Sequence, residues 1–244
     1  GVQTCALPIL YSAGIDRLTH QPLSFSVSET TEGVHIHIID AELMGKGEKE
    51  KKDLYIEGVQ NNGIINHYEY IINSEGTIEI RHVLKPEGKM PLWFPRIGLT
   101  LTVSDALDQV KWYGRGPQEN YPDRKTGYPT GIYASTVQAM YEPYLMPQDY
   151  GLRTDVRWLQ LTTDKGIGLQ FKMNEWFNFN IYPYSTDNLT KAMYTYQLQK
   201  QKGMTLNLDY ATTGVGCTAR GVFGAYKAMP QEYRRTISIK PMMK

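Results

Sequence analysis

The chain has 244 residues, with 26 basic and 25 acidic side chains and a formal net charge of +1. Because the basic residues are scattered and form no stripe, the composition argues against a nucleic-acid partner. Two cysteines, Cys5 and Cys217, exclude a disulfide framework and a four-cysteine zinc site. No apolar run approaches the roughly 20 residues that a membrane-spanning helix requires. The 18 Tyr and 4 Trp residues favour strands.

The first nine residues, Gly-Val-Gln-Thr-Cys-Ala-Leu-Pro-Ile, differ in character from the rest of the chain. They resemble translated read-through of a sequencing adapter, and they lack the basic start and long apolar stretch of a signal peptide. We therefore interpret residues 1–9 as a non-native segment. For residues 10–244 we predict a single domain, because the sequence contains no repeat, no linker and no sign of a second core.

Strand patterns dominate the first half of the chain, either as strict alternation or as runs of β-branched and aromatic residues. The strands predicted there are residues 34–38, 64–72, 77–84, 96–103 and 109–112. Asn73-Ser74-Glu75-Gly76 predicts a hairpin turn between the second and third of them. The charged run Gly45–Asp53 predicts an exposed turn.

In the second half, residues 126–151 contain three prolines and three glycines and predict a long irregular segment, which is typical of a functional surface. The strands predicted after it are residues 156–162, 167–173, 177–182, 194–198, 205–210 and 233–239. One short helix is expected to begin at Ser185 or Thr186, with Leu189, Ala192 and Met193 on its apolar face. More than ten short antiparallel strands and one helix predict an all-β, two-sheet sandwich.

The stretch Trp112–Arg124 packs two glycines, two prolines, three aromatics, two acids and two arginines into thirteen residues. That mixture predicts a shaped loop that leaves a strand and is held by its own side chains. Further segments accompany it in order: Arg96-Ile97-Gly98, Tyr141-x-x-Tyr144-x-x-Pro147, Gly151-Leu152-Arg153, Phe179-Asn180-x-x-x-Tyr184-Ser185, Leu189, Leu206-Asn207-Leu208-Asp209 and Gly214-Val215-Gly216.

The thirteen-residue pattern and its companions resemble the C-terminal domain of β-galactosidases of glycoside hydrolase family two over roughly residues 10–240. The residues that carry the loop signature are Trp112, Gly114, Gly116, Pro117, Glu119, Asn120, Tyr121, Asp123 and Arg124. The resemblance implies a large antiparallel supersandwich, similar in fold to galactose mutarotases, that lacks its first strands here. It also implies a complete protein that hydrolyses terminal β-galactosides with retention and is a homo-oligomer.

The same resemblance places the two catalytic glutamates of a retaining glycosidase on an upstream barrel that this chain lacks. We therefore expect no catalytic residue in the chain and no activity of the chain in isolation. A divalent cation and sodium, both used by the family near the barrel, are expected to bind outside this chain, and no metal site or cofactor is expected within it. Within the signature loop, Glu119 and Asp123 are interpreted as ion-pairing or capping groups, with Arg115 and Arg124 as available partners.

The candidate substrate contacts lie in the loop after Gly214-Val215-Gly216, where relatives commonly carry a Trp that forms part of a sugar platform. This chain has no Trp there. Arg220 is a candidate to stack on or hydrogen-bond a sugar, Phe223 to supply an aromatic face, and Cys217 to lie buried beside them. The alternative that these are ordinary loop residues stays open. Tyr194 and Tyr196, where relatives often have His-x-His, are interpreted as strand tyrosines.

Two other functions compete with the glycosidase. A non-catalytic carbohydrate-binding or scaffolding module would need no catalytic residues in the chain. A mutarotase-like epimerase would need a His acid and a Glu base on either side of a sugar ring, but His67 and Glu69 are too close along one strand to do this. His35 and His37 share one strand face, and two such ligands without a third make a weak metal site.

Overall fold

The computed structural model describes residues 18–44, 62–216 and 221–243. In these ranges the chain forms eleven strands, one α-helix and two short 3₁₀ helices, and the strand pairs described below are antiparallel. This confirms the predicted all-β antiparallel fold with one short helix. Within the same ranges, no helix is long and apolar enough to span a membrane. The predicted exposed turn Gly45–Asp53 lies outside the described residues.

The described residues divide into two compact units. We call residues 18–94 with 229–239 the flanking unit, and residues 95–228 with 240–243 the central unit. Division by contacts alone does not define two domains, so the single domain over residues 10–244 stays a prediction.

The flanking unit is built on a sheet in the order β1-β2-β3-β4-β11. Its strands are β1 Thr19–Thr30, β2 Gly33–Leu43, β3 Gly63–Ile72, β4 Ile78–Glu87 and β11 Tyr233–Met242, the last pairing through residues 233–239. The hairpin turn predicted between β3 and β4 is confirmed, since Asn73 Oδ1 accepts hydrogen bonds at 3.0 Å from the amides of Glu75 and Thr77. Gly76 completes the turn with a φ of 75°.

Strand β1 was not predicted, although Leu23-Ser24-Phe25-Ser26-Val27-Ser28 alternates clearly enough to indicate it. All twelve of its residues are exposed. Its apolar side chains therefore do not contribute to the core of the unit.

The interior of the flanking unit contains three buried polar residues, Asp40, Asn66 and His82, joined by hydrogen bonds. The side-chain amide of Asn66 donates to Asp40 Oδ1 at 2.8 Å, and His82 Nε2 lies 3.1 Å from Asn66 Oδ1. Because that oxygen only accepts, Nε2 of His82 carries the proton. Burial, reinforced by the neighbouring His67, lowers the pKa of His82 to about 4. The ring of Tyr68 stacks on His82 at 4.2 Å.

The central unit has the strand order β5-β10-β9-β8-β6-β7. Its strands are β5 Arg96–Val103, β6 Gln109–Arg115, β7 Thr130–Thr136, β8 Arg153–Thr162, β9 Gly168–Tyr184 and β10 Lys200–Thr212. The prediction that residues 126–151 are irregular was wrong for β7, which pairs with β6. The alternation in β7 is concealed because Ile132 is exposed and Gly131, Tyr133 and Ser135 are only half-buried.

Strand β9 is a single strand of 17 residues, where two separate strands were predicted. Its pairing with β8 shifts register twice, between Arg153 and Val156 and between Val156 and Trp158. Those irregularities break the alternation of the sequence without ending the strand.

The predicted helix is confirmed as α1, Thr186–Lys191, with Ser185 as its N-cap accepting from the Asn188 amide at 3.0 Å. Leu189 is buried, whereas Met193 lies beyond the helix and is exposed. The strand predicted at residues 194–198 was wrong, because Thr195–Gln197 form a 3₁₀ helix. The Gln197 side chain accepts from the amides of Met193 and Tyr194 and so closes a turn there.

The core of the central unit surrounds Trp112, which is 1% exposed. Phe179 meets its ring edge-on at 6.0 Å, and the Arg153 guanidinium lies 5.4 Å from the ring centroid. Burying an aromatic side chain of this size stabilises the fold by about 2–3 kcal/mol. Trp112 thus anchors the start of the loop that follows β6.

Candidate functional site

The signature loop, Trp112–Arg124, begins within β6 and continues into an irregular segment closed by a bridge between Tyr121 and Arg124. Trp112 Nε1 donates to the carbonyl of Arg115 at 3.0 Å, which ties the buried indole to the turn. A Cβ at Gly116 would lie 2.8 Å from the Tyr133 ring and 3.0 Å from Trp112, so only glycine fits. Gly114 lies within β6 and packs against Val156. The peptide bond between Gly116 and Pro117 is cis.

Glu119 is buried and both of its carboxylate oxygens are engaged. Oε1 accepts from Arg124 Nη2 at 2.9 Å and from the Tyr144 hydroxyl. Oε2 accepts from the Gly151 amide at 2.9 Å and from the Tyr121 hydroxyl at 3.3 Å. Burial and the adjacent Glu119 raise the pKa of Tyr144 to about 12. A carboxylate with four donors around it is a structural centre of the loop.

Arg115, the second arginine available to the acids of the loop, pairs with a different acid. Its Nε lies 2.6 Å from Asp155 Oδ2, and Lys125 Nζ approaches the other oxygen of Asp155 at 2.8 Å. Burial acts to raise the pKa of Asp155, but hydrogen bonds from Lys125 and Arg115 outweigh it and the pKa is lowered. Arg115 therefore joins the end of β6 to β8.

Asn120 is fully buried and joins the loop to the start of β8. Its Oδ1 accepts from the backbone amide and the hydroxyl of Thr154 at 3.1 and 2.5 Å, and its backbone N–H donates to the Leu152 carbonyl at 2.8 Å. Asn120 thus provides a side-chain acceptor and a backbone donor to the same neighbouring segment. A substitution that removes Oδ1 leaves the buried amide and hydroxyl of Thr154 without this acceptor.

Asp123 reaches a segment more than ninety residues later. Its Oδ1 accepts from the Val215 amide at 3.0 Å, and its Oδ2 accepts from the Gly216 amide at 2.7 Å. A Cβ at Gly214 would lie 2.4 Å from the carboxyl carbon of Asp123, so a side chain there would displace that carboxyl group from its two amide donors. The signature loop therefore holds the base of the later loop in place, a link that sequence spacing does not reveal.

Of the candidate sugar contacts, Cys217 and Arg220 lie outside the described residues. Phe223 is described and is 69% exposed. It precedes the 3₁₀ helix Gly224–Tyr226, and its carbonyl accepts from the Tyr226 amide at 3.0 Å. Tyr226 is a second exposed aromatic residue in this segment, which was not singled out from the sequence.

A second polar centre in the central unit, the Arg96 cluster, consists of Arg96, Asp149, Asn180, Asn207 and Asp209. Arg96 Nη2 lies 3.1 Å from Asp209 Oδ2 and 3.3 Å from Asp149 Oδ2. Asn180 donates to Asp149 Oδ1 at 2.8 Å, and Asn207 donates to Asn180 Oδ1 at 2.8 Å. Arg96, Asn180, Asn207 and Asp209 all belong to segments that resemble the family. Their convergence could not be predicted from the sequence, because it depends on strand register.

Two opposing influences act on Asp209 of the Arg96 cluster. Burial raises the pKa of Asp209 to about 6, while Arg96 acts to lower it. Arg96 itself has a raised pKa because Asp149 and Asp209 outweigh the effect of its burial. Asp209 is 1% exposed and both oxygens of Asp149 are hydrogen-bonded or paired, and through these contacts the cluster joins β5, β9 and β10.

Among the described residues, one group has the donor types and spacing for a metal ion: His35, His37 and Glu69 of the flanking unit. His35 and His37 were expected to lack a third ligand, and Glu69 from the neighbouring strand is a candidate for that role. The two exposed tyrosines Tyr194 and Tyr196 stack at 5.5 Å with an angle of 7° between their rings.

Comparison with known proteins gives matches over most of the chain. A family model described as beta galactosidase small chain matches residues 16–239. A β-galactosidase of Priestia megaterium (strain DSM 319 / IMG 1521) is 38% identical over 147 residues, which are 60% of this chain and 14% of that protein. A β-galactosidase of Vibrio cholerae serotype O1 is 31% identical over 207 residues, which are 84% of this chain and 18% of that protein. The chain thus spans less than a fifth of the length of these relatives.

Two solved structures resemble the chain at low sequence identity. The GalM/aldose epimerase homologue from C. elegans has a TM-score of 0.44 and 11% identity, covering 90% of this chain and 69% of that one. The galactose 1-epimerase from Lactobacillus acidophilus NCFM has a TM-score of 0.45 and 11% identity, covering 92% and 66%.

Proposed function

Since the chain belongs to the β-galactosidase small chain family, we propose that it is the C-terminal part of a glycoside hydrolase family two β-galactosidase. The complete protein removes terminal non-reducing β-D-galactose residues with retention of configuration. Retention requires two carboxyl groups about 5–5.5 Å apart, one of them a nucleophile and the other an acid/base. Glu119 and Asp123 are both occupied by donors from the protein itself. We therefore assign the catalytic pair, and the divalent cation and sodium, to a barrel outside this chain.

The contribution of this chain is proposed to be the rim of the active site. The observation that carries the proposal is the pair of hydrogen bonds from Val215 and Gly216 to Asp123, which fixes where the loop 217–223 begins. Phe223 is exposed and available as an apolar face for the sugar that follows galactose in the substrate. Arg220 is assigned to stack on or hydrogen-bond the same sugar, and Cys217 to fill space beneath the loop.

The rim is tested in the complete enzyme, encoded by the full reading frame, with Phe223→Ala. We expect the KM for lactose to rise roughly 5–30-fold, corresponding to about 1–2 kcal/mol of lost contact. Methyl β-galactoside, which has no second ring, should be affected less than about twofold. Ile132→Ala removes another exposed apolar side chain of the central unit and is the matched control. Equal effects of Phe223→Ala on the two substrates would refute the proposal that Phe223 contacts the second sugar at the rim of the active site.

The proposal that the catalytic pair lies outside this chain is tested separately with the isolated chain. It should hydrolyse nitrophenyl β-galactoside no faster than buffer, because the proposed catalytic pair lies elsewhere. It should also fail to accelerate aldose mutarotation, because His67 and Glu69 lie too close along β3 to act from the two sides of a sugar ring. Hydrolysis by the isolated chain would overturn the assignment of the catalytic pair, and mutarotation would favour the epimerase. Sugar binding without either activity would be consistent with a role in substrate contact.

A further inference from the structure

One face of the flanking unit brings two imidazoles and a carboxylate together across three strands. His35 and His37 are two residues apart on β2, so both project from the same face. Glu69 of β3 is directly opposite His37, and Arg81 of β4 is directly opposite Glu69. Opposed residues of an antiparallel pair share a face of the sheet. The strand register thus places all four side chains on one surface.

The distances between these groups approach those of ligands around a common ion. Glu69 Oε1 lies 3.5 Å from His35 Nδ1 and 3.9 Å from His37 Nε2. One donor atom from each of the three residues lies within 4.8 Å of the other two. Bonds of about 2.0–2.2 Å in a tetrahedral zinc site place ligand atoms about 3.3–3.6 Å from each other. A small closing movement of His37, whose side chain is 51% exposed, brings the group to that spacing.

The two oxygens of Glu69 have separate partners, which leaves one of them directed at the imidazoles. Oε2 accepts from Arg81 Nη1 at 3.0 Å, and Arg81 is itself held by Glu79 at 2.8 Å. Hydrogen bonds of this kind orient a ligating carboxylate. Arg81 therefore holds Oε2, and Oε1 is the oxygen of Glu69 that faces the two imidazoles.

His35 provides the second, independent observation. Its side chain is 13% exposed, and its Nε2 is buried without a hydrogen-bond partner among the described residues. Glu32 Oε2 lies 4.0 Å from this nitrogen. When Nδ1 binds a metal, Nε2 carries the proton, and a carboxylate that accepts it fixes the tautomer and the ring orientation. Glu32 is placed to do this after a small rotation.

We propose that His35 Nδ1, His37 Nε2 and Glu69 Oε1 bind one divalent ion of the Zn²⁺ class, with water in the fourth position. Two imidazoles and one carboxylate are a donor set that suits zinc and related borderline ions, and it is unlike the all-oxygen sets that suit magnesium or calcium. The bound ion joins β2 to β3. The proposal of this site does not depend on the proposed function.

The test is calorimetric titration of Zn²⁺ into the full 244-residue chain without a histidine tag. We expect one saturable site per chain. Glu69→Gln and His37→Ala should each weaken it more than about 100-fold, because removing a ligand costs more than the 10–100-fold typical of outer-shell changes. Circular dichroism verifies that each variant is folded. Co²⁺ as a second probe should give the intense visible bands of a four- or five-coordinate ion.

The matched control is His20→Ala. His20 is an exposed histidine 3.0 Å from Glu42, a His–carboxylate pair without a second imidazole. Its removal should leave Zn²⁺ affinity within about twofold, because a lone pair of ligands binds weakly. The proposal is overturned if the wild-type chain shows no saturable binding, if Glu69→Gln and His37→Ala bind as the wild type does, or if His20→Ala weakens binding as much as they do.

Discussion

Glu119 of the signature loop and Glu69 of the flanking unit are both carboxylates paired with an arginine, yet their surroundings differ. Both oxygens of Glu119 are taken by donors of the protein. Glu69 commits one oxygen to Arg81 and directs the other at two imidazoles, 3.5 and 3.9 Å away. The first arrangement is closed and stabilises a loop. The second leaves one oxygen facing two imidazoles, which is where we propose that an ion binds.

The largest effect is expected from Glu119→Ala, which removes the carboxylate at the centre of the signature loop. The substitution removes the acceptor for four donors and should lower the free energy of unfolding by about 3–5 kcal/mol, as measured by urea denaturation. Asp187→Asn, which removes an exposed ion pair with Lys191, is the control and should cost less than about 0.5 kcal/mol. A loss for Glu119→Ala below about 1 kcal/mol would show that the loop is not held by this carboxylate.

The comparison extends to imidazoles, because His82 follows Arg81 on β4 and is closed in by Asn66 and Tyr68. Its pKa is about 4 in the folded chain and about 6.5 otherwise. As pH falls between these values, the unfolded chain gains a proton that the folded chain does not, so the free energy of unfolding falls by roughly 3 kcal/mol.

His82→Gln should remove that part of the pH dependence while it retains a side-chain donor for Asn66. Urea midpoints measured from neutral pH down to about pH 4 provide the measurement. An unchanged slope in the variant would mean that other groups are responsible for the acid sensitivity.

A smaller and local effect is expected from Asp123→Asn. One of the two backbone donors then faces an amide NH₂ in place of a carboxylate oxygen, which costs about 1–2 kcal/mol. Hydrogen exchange at Val215 and Gly216 should accelerate by roughly tenfold or more, because local opening becomes easier. Asp105→Asn changes an exposed turn residue and should leave that exchange as it is. Equal exchange in both variants would contradict the conclusion that Asp123 holds the backbone of Val215 and Gly216 in place.

The periodicity of the sequence was sufficient to predict much of the fold. It could not predict contacts between side chains that are far apart in the chain. The strand at residues 96–103, the turn at Asn73–Gly76 and the helix after Ser185 follow from local signals. Strand β7 and the length of β9 depend on pairing and bulges, which a sequence pattern does not encode. The partners of Arg115, Asp123 and Glu69 are 40, 92 and 12 residues away, so strand register had to be known first.

The contact between Asp123 and the backbone at Gly214 also has a consequence for recognising relatives. A side chain at position 214 would occupy the space of the Asp123 carboxyl group, so each position limits what the other accommodates. In related chains we expect these two positions to change together or not at all. An insertion or deletion between them should then be tolerated more readily than a single exchange at either one.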